Sequence, residues 1–152
     1  MGEEPLPEHV DLIEKLGCAD SIHYRRYAPR ETVLGLMRQA YCLVMPSRWE
    51  GMPNVLLEAG TLGCPVIGSA VDGIPEIISD GETGLLVPIE DEVALAAAID
   101  RYLANPELRD RFAKAHRERV RALFSTDALA ESYTTIWTSR SAICSAQKNV
   151  GN

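Results

Sequence analysis

Two carboxylates, Glu50 and Glu58, stand eight positions apart in the run EGMPNVLLE, with Pro53 and Asn54 between them. On one continuous helix eight positions rise about 12 Å. Two carboxylates working on a single bond lie roughly 5 to 9.5 Å apart, so a shared helix would hold this pair too far apart. A loop position for Glu50 frees the separation, and the two then read as gripping different parts of one extended ligand. Carboxylates accept hydrogen bonds from pairs of hydroxyls, which suits sugars and riboses. Glu58 sits among Val55, Leu56, Leu57 and Ala59, and a carboxylate in apolar company needs a partner or access to a crevice. A solvated surface position accounts for the same spacing equally well. Pro53 suits the first position of a helix, where its missing N–H has no intrahelical partner to lose. The N–H groups of Asn54, Val55 and Leu56 would then face outward with the positive end of the helix dipole, a site for phosphate oxygens. Gly51 allows a ligand close to the backbone.

The elements that must position these residues are legible around them. Cys42 to Pro46 reads as a buried strand, Ser47 to Met52 as a polar loop, the stretch from Pro53 as a helix carrying Glu58, and Pro65 to Ser69 as a second buried strand. That is one βαβ unit, and the loop after a parallel strand's carboxyl end faces the ligand crevice of open α/β folds. Upstream, Pro7 to Leu16 forms a short amphipathic helix on Val10, Leu12, Ile13 and Leu16. Ser21 to Tyr27 is a strand candidate that carries two arginines, and Arg30 to Gln39 is a helix. Downstream, Asp72-Gly73-Ile74-Pro75 turns into a short helical segment, and Asp80 to Gly84 is a turn before the strand Leu85 to Pro88. The remainder is helical, in pieces separated at Asn105-Pro106 and at Ser125 or Thr126. Periodicity fades from Arg140, so residues 140–152 read as an unstructured tail after a domain spanning 1–139. Strands alternating with helices predict an α/β fold with a doubly wound parallel sheet of four strands and a helical C-terminal tail.

Composition narrows the partners. A net charge of −7 over 152 residues argues against nucleic acid or an anionic membrane, both of which need clustered positive charge. The start MGEEPLPEHVD has no basic and apolar signal regions, and no apolar run reaches the roughly 18 residues of a membrane span. The expected location is cytoplasmic. Cys18, Cys42, Cys64 and Cys144 show neither CxxC nor metal-ligand spacing and read as buried free thiols. His9, His23 and His116 are scattered and read as surface or half-buried residues rather than bases.

The ordered set PS-x-x-EG-x-PNV-x-LEA from Pro46 to Ala59, GIPE from Gly73 to Glu76 and DGETGLLV from Asp80 to Val87 closely resembles the C-terminal domain of retaining GT-B glycosyltransferases of the family-4 type. The resemblance runs from about Gly2 to Trp137. It implies a partial Rossmann-like sheet, the C-terminal half of a GT-B fold, that holds a nucleotide-diphosphate sugar. By position, Glu50 would contact the donor sugar and serve as the catalytic carboxylate. Gly51, Met52, Pro53, Asn54 and Val55 would surround sugar and diphosphate, and Glu58 would bind the ribose. The loop Tyr27 to Arg30 would flank the base. Transfer would proceed with retention on the front face, without a cofactor and without a metal, in keeping with the lack of a DxD motif. The implied partners are a nucleotide sugar and an N-terminal GT-B domain or partner chain, and the implied role is in polysaccharide or glycolipid synthesis.

The sequence also departs from that pattern. Relative to it, the first strand, its glycine-rich loop and the Arg and Lys that bind the diphosphate are not found, and MGEEPL corresponds to the end of a second strand. Arg26 and Asp72 stand where the pattern has glycine. The polypeptide alone is therefore expected to have little or no transferase activity. A non-catalytic nucleotide-binding module and one half of a split or truncated enzyme stay open as alternatives, with a glycosidase using Glu50 and Glu58 a remote one.

Overall fold

The computed structural model describes the backbone of residues 6–148 and the side chains of residues 6–138. The chain forms two compact units, Met1–Leu36 and Met37–Asn152. In the first, Pro7 starts helix α1 (Pro7–Lys15) without a side-chain cap, and Val10, Leu12 and Leu16 are exposed. The strand expected over Ser21 to Tyr27 is not formed. Ala19–Ser21 is a single 3-10 turn, and residues 22–29 join no ladder among the described residues. Strand backbone is held only by a neighbour's N–H and C=O groups, and His23, Arg25 and Arg26 supply no apolar face to substitute for one. Helix α2 (Arg30–Gln39) follows with the bounds that its pattern predicts and spans the division between the units.

The second unit is built on a three-stranded parallel sheet in the order β1 (Leu43–Met45), β2 (Val66–Ser69), β3 (Leu85–Val87). Leu43 lies opposite Val66, and Ile67 opposite Leu85. The crossovers carry α3 (Asn54–Leu62) and α4 (Ile74–Ile77), and β3 is followed by α5 (Glu92–Ala104), α6 (Pro106–Phe124) and α7 (Thr126–Lys148). This is the doubly wound α/β arrangement expected, with three strands among the described residues in place of four.

Every residue of β2 is buried, as a central parallel strand covered on both faces must be. On one face Ile67, Leu85 and Val87 pack with Ala98 and Tyr102 of α5 and Phe112 of α6. The Tyr102 and Phe112 rings meet edge to face with centroids 6.3 Å apart. Tyr102 carries a polar tip into this core and satisfies it by donating to the Val66 carbonyl at 3.0 Å. Burial lifts that phenol well above its ordinary range. On the other face a side chain at Gly68 would press on Ile74 and Ile78, so glycine there lets α4 lie against the sheet.

The long helices begin where their caps dictate. The Asp91 carboxylate accepts from the Ala94 N–H at 2.8 Å and opens α5, and the Asn105 side chain accepts from Leu108 N–H at 3.0 Å and opens α6 with Pro106 in its first turn. Ser125 accepts from the Ala128 N–H at 3.2 Å ahead of α7. Leu129, Tyr133, Ile136 and Trp137 of that helix are exposed. Its backbone continues to Lys148 through part of the stretch read as a tail, and residues 149–152 lie outside the described residues.

Helix α3 packs against β2 and against α6. The approach to α6 is close at Gly60, where a Cβ would stand 2.5 Å from Val120 Cγ2 and 2.9 Å from His116 Nε2. His116 is fully buried in that seam, with Nε2 3.1 Å from the Leu56 carbonyl. A carbonyl only accepts, so Nε2 carries the proton, and Nδ1 is left buried without a partner. The reading of His116 as a surface or half-buried residue is thereby corrected. Phe112, His116 and Val120 recur every fourth position on the inner face of α6, and that spacing decides its burial.

Candidate functional site

The loops that follow the three strands lie at the carboxyl edge of the sheet, and they are tied to one another. The loop after β1 carries Glu50. Its backbone N–H donates to the Asp72 carboxylate at 3.0 Å, and its carbonyl accepts from the Gly73 N–H at 3.3 Å. Both partners belong to the loop after β2, so one residue of the first loop is held by two of the second. Ser47 Oγ donates to Glu50 Oε1 at 3.3 Å, which orients a half-buried carboxylate. Arg48 reaches the loop after β3 through an ion pair with Glu90 at 2.8 Å, exposed at both ends and so of small energetic weight.

Two strained positions mark the same edge. Asp72 (φ 44°) and Glu90 (φ 58°) occupy the left-handed region that non-glycine residues enter rarely. Asp is among the residues that tolerate it, and at Asp72 the strain places the carboxylate on the Glu50 N–H. Beside it, a Cβ at Gly73 would overlap the Gly51 carbonyl oxygen. Glycine at 73 is what lets the two loops touch.

Helix α3 rises from this edge. Pro53 (φ −74°, ψ 107°) is extended and occupies the position before the helix, so Asn54 is the first helical residue. The expectation that Pro53 opens the helix from inside is corrected by one place; the residue still has no N–H to leave unpaired. The Leu56 N–H donates to the Pro53 carbonyl at 3.0 Å, so the third donor expected to face outward is committed within the first turn. Pro53 is buried, Val55 half-buried, and Gly51, Met52 and Asn54 exposed. Glu58, one turn further along, is half-buried. Trp49 is 76% exposed and covers no core.

Glu50 to Val55 therefore form one continuous edge, with Glu58 on the helix that leaves it. Residues that the sequence reading left out complete it: Ser47 and Asp72 as partners of Glu50, and Gly73 as the point of contact with Gly51. The GIPE run pointed to Gly73 only as a turn. Arg119 of α6 also reaches this region, its Nε donating to the Ile77 carbonyl at 3.1 Å and Nη2 to the Glu76 carbonyl at 2.8 Å at the end of α4. Among the described residues no three His, Cys, Asp or Glu side chains converge as a metal site, and no helix is long and apolar enough to cross a membrane. Burial raises the thiols of Cys42 and Cys64, which suppresses the nucleophilic thiolate form.

Comparison with known proteins gives a consistent result. The family described as Glycosyl transferases group 1 matches residues 2–119. A D-inositol 3-phosphate glycosyltransferase of Streptomyces coelicolor is 34% identical over 127 residues, covering 84% of this chain and 28% of that protein. The solved sucrose-phosphate synthase of Thermosynechococcus elongatus superposes with a TM-score of 0.78 at 33% identity, over 93% of this chain and 37% of that one. Anabaena HepE, solved in complex with UDP-glucose, superposes with a TM-score of 0.77 at 19% identity over 87% of this chain and 36% of its own, a likeness of fold. The chain thus spans about a third of the length of these proteins or less.

Proposed function

The chain belongs to the glycosyl transferases group 1 family, and from that premise we propose that it is the donor-holding portion of a retaining, nucleotide-sugar-dependent glycosyltransferase. The observation that carries the reading is the knot at the sheet edge, where Asp72 and Gly73 hold the Glu50 backbone from both sides and Ser47 turns its carboxylate. A loop pinned in this way presents a fixed acceptor of hydrogen bonds beside the start of a helix, and rigid positioning is what a group-transfer site requires.

In this reading Glu50 accepts from hydroxyls of the donor sugar and acts as the catalytic carboxylate. Gly51, Met52 and Pro53 form the wall beside the sugar. Asn54 and Val55 at the opening of α3 offer the positive end of the helix to the diphosphate. Glu58 accepts from the ribose hydroxyls. The bond between the sugar's anomeric carbon and the diphosphate oxygen breaks, and the acceptor oxygen bonds to that carbon on the same face. The acceptor's proton passes to the departing diphosphate, so the charge on the leaving group rises and falls without a metal. The acceptor, a glycan or lipid-linked sugar, is placed against a further GT-B domain or partner chain. Sugar transfer by the isolated 152-residue polypeptide is expected to be slight, because the loops described here assign residues to the donor alone. The free thiols Cys18, Cys42 and Cys64 suit a reducing, cytoplasmic setting.

Titration calorimetry of the chain with UDP, UDP-glucose, GDP and GDP-mannose tests the proposal. Binding of one nucleotide pair is expected, abolished or weakened about tenfold by Glu58→Ala through loss of a charge-assisted hydrogen bond. Equal affinity of the wild type and the variant would remove the ribose assignment, and no heat with any of the four would remove the donor-binding reading itself.

A further inference from the structure

Helix α6 lies outside the loops that form the site, yet two side chains one turn apart on it each take hold of a helix that starts there. His116 donates to the Leu56 carbonyl of α3, and Arg119 donates to the Glu76 and Ile77 carbonyls at the far end of α4. The two attachments differ in what they leave behind if lost. Helix α3 has a large seam with α6 besides the His116 contact. Helix α4 is a single turn, Ile74–Ile77, whose closing carbonyls have no further turn to satisfy them. A planar guanidinium suits this task because its fork reaches two adjacent carbonyls at fixed geometry.

A rigid path leads from that fork to the catalytic loop. Ile74 and Ile77 of α4 and Ile78 at its end are fully buried and make this turn one stiff piece, so a small shift at its end is carried to its start. Gly73, immediately ahead of it, donates to the Glu50 carbonyl and lies against the Gly51 carbonyl, and Asp72 receives the Glu50 N–H. Fixing α4 at its end therefore fixes the clamp at its start. We propose that Arg119 is a positioning residue for Glu50: it touches neither donor nor acceptor, and sets the Glu50 loop through α4. The assignment of a sugar to Glu50 rests on the function proposed above, whereas the mechanical link does not.

Amide hydrogen exchange on the full chain separates the two. In Arg119→Gln the Glu50 and Gly73 amides are expected to exchange about tenfold faster or more, the effect of losing hydrogen bonds from a charged donor. Amides of β2 and β3 should keep their wild-type protection. Arg119→Lys, which keeps the charge and loses the fork, should fall between the two and guards against misfolding of the glutamine variant. Unchanged exchange at Glu50 and Gly73 in both variants would overturn the proposal, as would an equal rise across the sheet in both. On ligand, the Arg119 variants should narrow the affinity gap between UDP-glucose and UDP while leaving UDP affinity unchanged, which a general loss of stability does not do. Glu50→Gln serves as the reference: a gap untouched by that substitution sinks the sugar assignment, and the exchange result still decides the role of Arg119.

Discussion

Protonation of His116 offers a measurable consequence of the seam between α3 and α6. The ring is fully buried, donates through Nε2 to the Leu56 carbonyl and has no partner at Nδ1. Charging it would add a buried N–H at Nδ1 that has no acceptor among the described residues, and the Arg119 charge nearby adds to the penalty. Burial accordingly lowers its pKa from the ordinary 6.5, with the Leu56 hydrogen bond opposing and Arg119 reinforcing the shift. The folded chain binds a proton at His116 less readily than the unfolded chain does, so acidification favours unfolding. The stabilisation is complete above the unfolded pKa and is lost as pH falls below it. Where the folded form stays neutral, unfolding takes up one proton and stability falls by about 1.4 kcal/mol per pH unit. Between about pH 7.5 and 5.5 that slope sets a ceiling of about 1.4 kcal/mol on the loss from this one residue, reached only where the folded form takes up no proton. That is a visible share of the roughly 5 to 15 kcal/mol typical of a domain and corresponds to a few degrees of Tm. Other groups titrate in the same interval, so the measurement is a difference. Urea denaturation of the wild type and His116→Gln at both pH values isolates the term, because glutamine retains a donor for Leu56 and cannot titrate. The variant is expected to be less stable at neutral pH and to lose less on acidification. Equal acid losses in the two proteins would refute the reasoning, whatever their absolute stabilities.

Three further outcomes follow from close contacts elsewhere. Gly60→Ala gains up to about 1 kcal/mol of helix propensity and meets Val120 and His116 at overlapping distances, an overpacking cost of about 1 to 3 kcal/mol; a lower Tm is expected, recovered in part by adding Val120→Ala. Gly73→Ala forces the loops after β1 and β2 apart at Gly51, so amide exchange should quicken at Glu50 while β2 and β3 retain their protection. Tyr102→Phe removes the donor to the Val66 carbonyl from the sheet core, with an expected loss of about 1 kcal/mol in chemical denaturation.

Most of the second unit was legible because its signals are local. An apolar run, a proline and asparagine before Val55, and DGETG before Leu85 each act over a few residues, and they place β1, α3, β2 and β3, although β1 is half-buried where a buried strand was expected. The strand over Ser21 to Tyr27 failed for the converse reason, since β structure depends on a neighbouring ladder that no local pattern reports. At the candidate site, residue types, spacing and the family resemblance singled out Glu50 to Val55 and Glu58 as expectations, while the hydrogen-bond partners of Glu50 stayed hidden. Asp72 lies 22 positions from Glu50, and its strained backbone is a property of the tied loops rather than of its own neighbours. His116 was misread because a lone histidine was weighed as a residue type, although Phe112 and Val120 on the same face of α6 assign it to the interior.

The sheet and the first two crossover helices all lie between Leu43 and Val87, each strand pairing with the next in the chain. The ties from α6 close much longer loops, 60 positions from His116 to Leu56 and 42 from Arg119 to Ile77. Loop-closure entropy delays such contacts relative to the short-range pairing of neighbouring strands. The scaffold of the site can thus collapse before its loops acquire their final set, which arrives when α6 docks. Substitutions at His116 and Arg119 should then leave the refolding rate nearly unchanged and accelerate unfolding, the kinetic signature of interactions made after the main barrier.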